Sequence, residues 1–347
     1  MGINTHTHKS YYSLIFYIIL IASLPAQTYA NTDYESCLLK SFSLALPGQT
    51  MEEIKSGCKD KDSPLTNPKE IVVEIPTENN SGTEKRQLVE SIAEDLPFLL
   101  VPHNKNYVLP ITYNQSPNQE PFQDDALKLD RAEVKFQFSI KSRLISDVFG
   151  EDGDLWFGYT NLSFWQAYNT SNSSFFRETN HEPELFMDFH PDISIGSWKS
   201  SLLRLGATHQ SNGRSDSRSR SWNRLYALAT IEKDEWYFSV KPWYRIPESN
   251  KDDPEDTRGD DNPDIDKFVG YGDLTAMYHA DEHTYGMTFR NNLRDRNRFG
   301  MELNWTFPLK DKLRGYVQLY SGYGESLIDY DASVNRIGVG VMFSDIL

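Results

Sequence analysis

The sequence predicts an all-β, transmembrane antiparallel β-barrel of about twelve strands. Three observations carry this reading: an export-type apolar run at the start, period-two alternation from about Tyr107 to the C-terminus, and an even set of strand candidates whose connections alternate between short and long.

The first element is an export signal. Lys9 precedes an apolar run over 11–24, which is followed by Pro25 and a Thr28-Tyr29-Ala30 ending suited to signal peptidase, so residues 1–30 read as a signal peptide cleaved after Ala30. No later segment holds about 18 consecutive apolar residues, the minimum for a spanning helix. A mature chain that enters a membrane must then cross it with strands.

Composition agrees. The chain has 13% aromatic residues and a mean hydropathy of -0.58, as expected when every second strand residue faces a polar interior. A net charge of -15 argues against a nucleic-acid partner, because such partners are bound through basic surfaces. The acidity reads as solvated loops.

Residues 31–96 read as an N-terminal periplasmic segment and linker. Cys37 and Cys58 are the only cysteines, and in an oxidising compartment they are expected to form a disulfide that staples two short helices. Residues 59–95 are rich in charge, Pro, Ser and Asn, with one strand-like patch at 71–75, and read as a flexible linker.

Residues 97–347 read as the barrel domain. The clearest alternation is Val134-Lys135-Phe136-Gln137-Phe138-Ser139-Ile140-Lys141, and the last strand repeats it with Ile337, Val339, Val341 and Phe343 on one face. Strands are expected near 106–114, 130–146, 154–169, 182–190, 199–212, 220–231, 235–246, 266–280, 283–292, 297–307, 313–321 and 335–345. Short connections at 232–234 and 281–282 and a long one at 247–264 fit periplasmic turns and outer loops. A soluble barrel or sandwich remains an alternative at this level. It would turn Lys135, Lys141, Arg204, Arg224, Lys241 and Arg245 to solvent and pack the aromatics inward.

One candidate catalytic constellation stands out. His209 and Ser211 are two apart on a strand and so share a face, together with Leu203, Leu205 and Ala207. On the next strand Asn223 shares a face with Leu225, Ala227, Ala229 and Ile231. A hydroxyl becomes a competent nucleophile when a base takes its proton, and the base works best when a third group fixes its tautomer. A His-x-Ser pair is short enough to arise by chance, so its placement carries the weight. In a membrane barrel the apolar side is the lipid side, which puts Ser211, His209 and Asn223 on the outer wall near the outer-leaflet interface, at the depth of lipid esters.

Three segments together resemble outer membrane phospholipase A: the run from Ser173 to Asn180, the block from His209 to Tyr226, and the run from Tyr320 to Tyr330. The resemblance covers roughly residues 97–347. It implies a calcium-dependent (Ca2+) acylhydrolase of the bacterial outer membrane that removes sn-1 and sn-2 chains from glycerophospholipids and lysophospholipids and is active as a homodimer. By the same resemblance, Ser211 is the nucleophile, His209 the general base and Asn223 the residue that orients it. Calcium is held by the Arg214 carbonyl, Ser219 and Ser173 of the partner subunit, and the Gly213 N–H helps to stabilise the oxyanion. Asn161 stands where the family commonly has a glutamine in the dimer interface. Two other readings stay open: a catalytically silent barrel, acting as a channel or structural protein, and a lipid A deacylase with a similar outward His/Ser pair.

Mass spectrometry of the purified mature protein under non-reducing conditions is expected to find an N-terminus at Asn31 and the Cys37 and Cys58 peptides cross-linked. Free thiols at both positions would remove the staple.

Overall fold

The computed structural model describes residues 86, 90, 99–123, 127–150, 152–191, 193–251, 259–310 and 313–345. The expected signal peptide, Cys37, Cys58 and nearly all of the linker lie outside these residues.

Twelve long strands run in chain order: β1 (Asn106–Asn114), β2 (Ala132–Ile145), β3 (Asp154–Trp165), β4 (Phe176–Phe189), β5 (Trp198–Ser211), β6 (Ser221–Lys233), β7 (Trp236–Ile246), β8 (Gly272–Ala280), β9 (His283–Asn291), β10 (Phe299–Lys310), β11 (Leu313–Gly322) and β12 (Val334–Ser344). Each pairs antiparallel with its chain neighbours, and β12 pairs with β1, so the sheet closes on itself. Closure removes both edges and leaves every spanning backbone group a partner, which the hydrocarbon layer demands. The closing seam is irregular. Its register shifts between Val339 and Val341, where a side chain on Gly340 would collide with the Val108 carbonyl and the Pro110 ring.

The alternation points the way a membrane barrel requires. Leu185, Leu205 and Leu225 are about half exposed on the outer wall, whereas Lys135, Lys141, Arg177 and Asp188 are buried in the lumen. The soluble alternative fails on this point, since Arg204 and Arg224 are also buried and the apolar side chains face out.

The lumen is filled rather than lined. One continuous ion lattice runs from Lys135 to Glu325 (2.9 Å), Glu325 to Arg336 (2.9 Å), Arg336 to Glu133 (2.7 Å), Glu133 to Arg177 (3.1 Å) and Arg177 to Asp329 (2.5 Å). Beside it, Trp156, Phe186, Trp222, Tyr226 and Trp243 form an apolar cluster with Ile265, Val269, Leu327 and Tyr330, which come from outer loops. The β11–β12 connection thus dips inward and closes the outer end.

Three expected elements move. β4 begins at Phe176, six residues before 182, because its first turns carry Glu178 and Asn180 inward as hydrogen-bond acceptors for the backbone N–H groups of Ile328 and Leu327. After Phe176 the segment 177–181 is polar throughout and gives no hydrophobic period. β8 starts at Gly272, while residues Asp266–Val269 form a one-turn helix, α1, that ends at Gly270 with φ +70°. β3 stops at Trp165, after which the chain turns. The connection expected at 232–234 is a turn at 234–235, because Glu232 and Lys233 still pair with Tyr237 and Trp236, while the one at 281–282 is as expected; each turn places an Asp at positive φ.

Glu133 bonds two buried arginines, so Glu133→Ala leaves both partly uncompensated and is expected to destabilise the barrel by about 3–5 kcal/mol. Replacing Asp216, whose ion pair with Arg218 lies in an outer loop, is expected to cost under about 1 kcal/mol. Urea unfolding in detergent micelles, followed by tryptophan fluorescence, measures both.

Candidate active site

The site grows from the hairpin of β5 and β6. Their register sets His209 opposite Asn223 and Ser211 opposite Ser221. His209 is exposed on the outer wall, with Ser211 and Asn223 half-buried beside it. The imidazole Nδ1 lies 2.9 Å from Asn223 Oδ1. The amide's other end is also engaged, since Asn223 Nδ2 donates to Glu248 Oε1 at 2.9 Å. The structure thus brings His209 and Asn223 into contact and sets Ser211 on their face. Among the described residues no hydrogen bond joins Ser211 Oγ to the ring.

Directly after Ser211 the backbone enters a tight turn in which Gly213 takes φ +65°. The space a Cβ would need there is open, with His181 Cδ2 and Nε2 the nearest side-chain atoms at 3.7 Å. The requirement for glycine is therefore conformational, because L-residues are strained in the left-handed region.

Buried Asn212 holds the loop in shape. Its Nδ2 donates to the Arg218 carbonyl (2.8 Å) and to Glu178 Oε2 (3.3 Å), and its Oδ1 accepts from the Arg220 N–H (3.0 Å). The Arg214 side chain is fastened to the top of β4, donating to the carbonyls of Arg177 (2.8 Å) and Phe176 (3.2 Å). Ser219 donates to Asp261 Oδ2 at 2.8 Å, and Ser221 donates to the same oxygen at 3.1 Å. Asp261 also pairs with Lys251. In the same loop Arg218, hydrogen-bonded to Asp216, holds that carboxyl down at about 2, so it stays ionised across the physiological range.

Ser173 stands apart from these groups. It is exposed in the β3–β4 loop, its carbonyl accepting from Trp165 Nε1 at 2.8 Å, and among the described residues no hydrogen bond links its hydroxyl to Arg214 or Ser219. Asn161, on the outer face of β3, accepts from Ser163 Oγ (3.0 Å) and lies 3.5 Å from His181 Nδ1.

The donor set around the loop consists of serine hydroxyls, a carboxylate and backbone carbonyls. Oxygen donors of this kind suit a hard cation such as calcium. Among the described residues no cluster of three or more His, Cys, Asp or Glu forms a metal site of its own.

Sequence reasoning missed Glu248, Asp261 and His181. Glu248 follows Ile246, whose Cα is paired with Asn223, and only the β6–β7 register reveals that proximity. Asp261 arrives from the long β7–β8 connection, which no local pattern ties to Ser219. His181 pairs with Ser211 across β4 and β5 and shares its Nδ1 with the Tyr159 hydroxyl at 2.7 Å.

A closed twelve-stranded barrel with an apolar outer wall and a charged interior defines a class: the membrane-embedded β-barrels, here with a histidine, an asparagine and a serine displayed at one end of a hairpin on the outer wall. Residues 83–343 match the family model described as Phospholipase A1. Phospholipase A1 of Klebsiella pneumoniae is 40% identical over 254 residues, 73% of this chain and 85% of that protein. Phospholipase A1 of Escherichia coli K12 is likewise 40% identical over 254 residues, 73% of this chain and 84% of its own length. Among solved structures, outer membrane phospholipase A from Escherichia coli aligns with a TM-score of 0.66 at 40% identity, covering 72% of this chain and all of that one. The Salmonella typhi outer membrane phospholipase, solved as a dimer with bound calcium, aligns with a TM-score of 0.65 at 39% identity, covering 73% and 94%. The chain belongs to the outer membrane phospholipase A family. It is an ester hydrolase of the phospholipase class, and it resides in the outer membrane.

Gly213→Ala forces a side chain into a left-handed position at a cost of about 1–2 kcal/mol. Because the space is open, the barrel is expected to remain folded while the 212–220 loop shifts and kcat falls. Paired unfolding and turnover assays would show a kinetic loss larger than the stability loss.

Proposed function

We propose that this protein is a calcium-dependent outer-membrane phospholipase that hydrolyses the sn-1 and sn-2 acyl esters of glycerophospholipids and lysophospholipids, using Ser211, His209 and Asn223. The observation that carries the reading is the His209 Nδ1 to Asn223 Oδ1 contact of 2.9 Å on the lipid-facing wall, with Ser211 on the same face of the same strand.

The chemistry follows from that contact. Asn223 Oδ1 accepts the Nδ1–H proton, which fixes the tautomer and leaves the Nε2 lone pair free. Residues two apart on a strand have Cα atoms about 7 Å apart, a span that an imidazole and a hydroxymethyl group bridge by side-chain rotation. Ser211 Oγ attacks the ester carbonyl carbon as its proton passes to His209 Nε2. The tetrahedral intermediate then expels the lysolipid or glycerol oxygen, which takes that proton. Water, deprotonated by the same nitrogen, attacks the acyl-serine, and fatty acid leaves as Ser211 Oγ takes that proton back. The Gly213 N–H is assigned to the oxyanion. Bound calcium supplies positive charge for the same oxygen.

The Arg214 carbonyl, the Ser219 hydroxyl and Ser173 of the partner subunit are the assigned calcium ligands. The engagement of the Arg214 side chain by β4 supports this, because it pins the residue whose carbonyl is needed. The exposure of Ser173 supports its use across a homodimer, and the dimeric, calcium-bound Salmonella typhi relative supports both. Asn161, on the outer face of β3, is assigned to the dimer interface. Residues 1–30 are assigned as a cleaved signal and residues 31–96 as a periplasmic segment stapled by Cys37 and Cys58. Membership in a phospholipase family favours glycerophospholipid over lipid A as substrate, and an enzyme over a silent barrel.

The test is hydrolysis of a defined phospholipid in detergent micelles by wild type and Ser211→Ala, each with calcium and with a chelator. Loss of Ser211 is expected to lower kcat on the order of 10⁴-fold or more, and the chelator is expected to abolish turnover. A folded, dimeric, calcium-supplied wild type that releases no fatty acid would sink the proposal, as would an equally active Ser211→Ala.

A further inference from the structure

An amide is an ambiguous third member for a triad. Asn223 can present either its oxygen or its NH2 to His209 Nδ1, and the two ends are nearly the same shape. The choice decides whether the histidine is a base. With the oxygen facing the ring, Nδ1 carries the proton and Nε2 is free to accept one. With the NH2 facing the ring, Nδ1 must be the acceptor, Nε2 carries the proton, and the serine has no base.

Resting on the triad reading above, we infer that Glu248 is a positioning residue for the reaction: through Asn223 it fixes the amide orientation that makes His209 a base toward Ser211. The geometry is one-sided. Asn223 Nδ2 lies 2.9 Å from Glu248 Oε1 while Asn223 Oδ1 lies 2.9 Å from His209 Nδ1. A carboxylate accepts and cannot donate when ionised, so only the NH2 end can face Glu248, and the oxygen is turned to the ring. Flipping the amide would set its oxygen against the carboxylate and lose a hydrogen bond to a charged acceptor.

The placement of Glu248 is built into the barrel. β7 pairs Ile246 with Asn223, and Pro247, which has no N–H, ends the ladder one residue later. Glu248 then lies beside the end of the β5–β6 hairpin, and it is half-buried. The loop that carries it is braced on both sides. Asp260 N–H donates to the Ser249 carbonyl at 2.8 Å, and Arg245 holds the Asp260 carboxylate with two contacts of 2.6 Å. Glu248 touches neither the reacting ester nor Ser211, so its effect passes through the amide alone.

The experiment compares wild type, Ser211→Ala, Glu248→Ala, Glu248→Gln, Asn223→Asp and the double variant Asn223→Asp/Glu248→Ala, on a defined phospholipid in micelles at saturating calcium. Folding is checked by heat modifiability on gels and the dimer by cross-linking. Loss of a hydrogen bond to a charged group corresponds to roughly 10–100-fold in rate, so Glu248→Ala is expected to lower kcat by that factor with KM unchanged. Glu248→Gln keeps an acceptor for Nδ2 and is expected to recover most of the loss. An aspartate at 223 accepts with either oxygen and needs no orienting, and in Asn223→Asp it stands against the Glu248 carboxylate at the former hydrogen-bond position, so the double variant is expected to show no loss relative to Asn223→Asp alone. An unchanged kcat in Glu248→Ala would overturn the inference. So would an equal loss in the Asn223→Asp background, which would mark a merely structural role. Retained activity in Ser211→Ala would instead overturn the triad reading itself.

Discussion

In the hydrocarbon layer a strand with an open edge exposes N–H and C=O groups that nothing there can satisfy, so the pairing of Asn106–Asn114 with Val334–Ser344 is the constraint on which the rest of the structure depends. The pairing forces compact backbone where the seam shifts register, and Gly340 meets that demand beside Pro110. Once the sheet is closed, the pleat has no freedom left. Every second side chain must face lipid, and the others must share a narrow lumen.

That lumen explains the charge pattern. Lys135, Glu133, Arg177 and Arg336 come from three different strands and would each be costly to bury alone. Together with Glu325 and Asp329 from the inward-dipping outer connection they neutralise one another at contacts of 2.5 to 3.1 Å. The lattice also anchors the top of β4, where Arg177 and Glu178 sit beneath the 212–220 loop. The Arg214 side chain bonds the Arg177 carbonyl and Asn212 bonds Glu178, so the stability of the interior is coupled to the geometry of a site on the exterior.

The proposed site reverses the usual enzyme arrangement, in which catalytic groups converge in a cavity. Here the groups proposed to act stand on an outer wall, so the lipid phase supplies the apolar surroundings, while the loops supply oxygen donors at the interface. A wall site needs precise orientation from few neighbours. Asn223 is held between His209 and Glu248, Asn212 ties Arg218 and Arg220 of its loop to Glu178 of β4, and Gly213 bends the backbone at φ +65°. Each of these is a short-range device mounted on the rigid β5–β6 register.

The barrel and its polarity were legible in the sequence because the side-chain period of a strand is local. Alternation in Val134 to Lys141 and in Leu203 to Ser211 marks strands and faces without knowledge of any partner, and the His209, Ser211 and Asn223 face follows from counting by twos. Strand limits failed where the pattern was polar, as at 177–181, or where a helical turn replaced it, as at 266–269. Glu248, Asp261 and His181 belong to the site only through tertiary structure, since each reaches it across a strand register or a long connection. Local periodicity decides which way a side chain points. Which residues meet is decided by register and loop closure, and these are properties of the closed sheet as a whole.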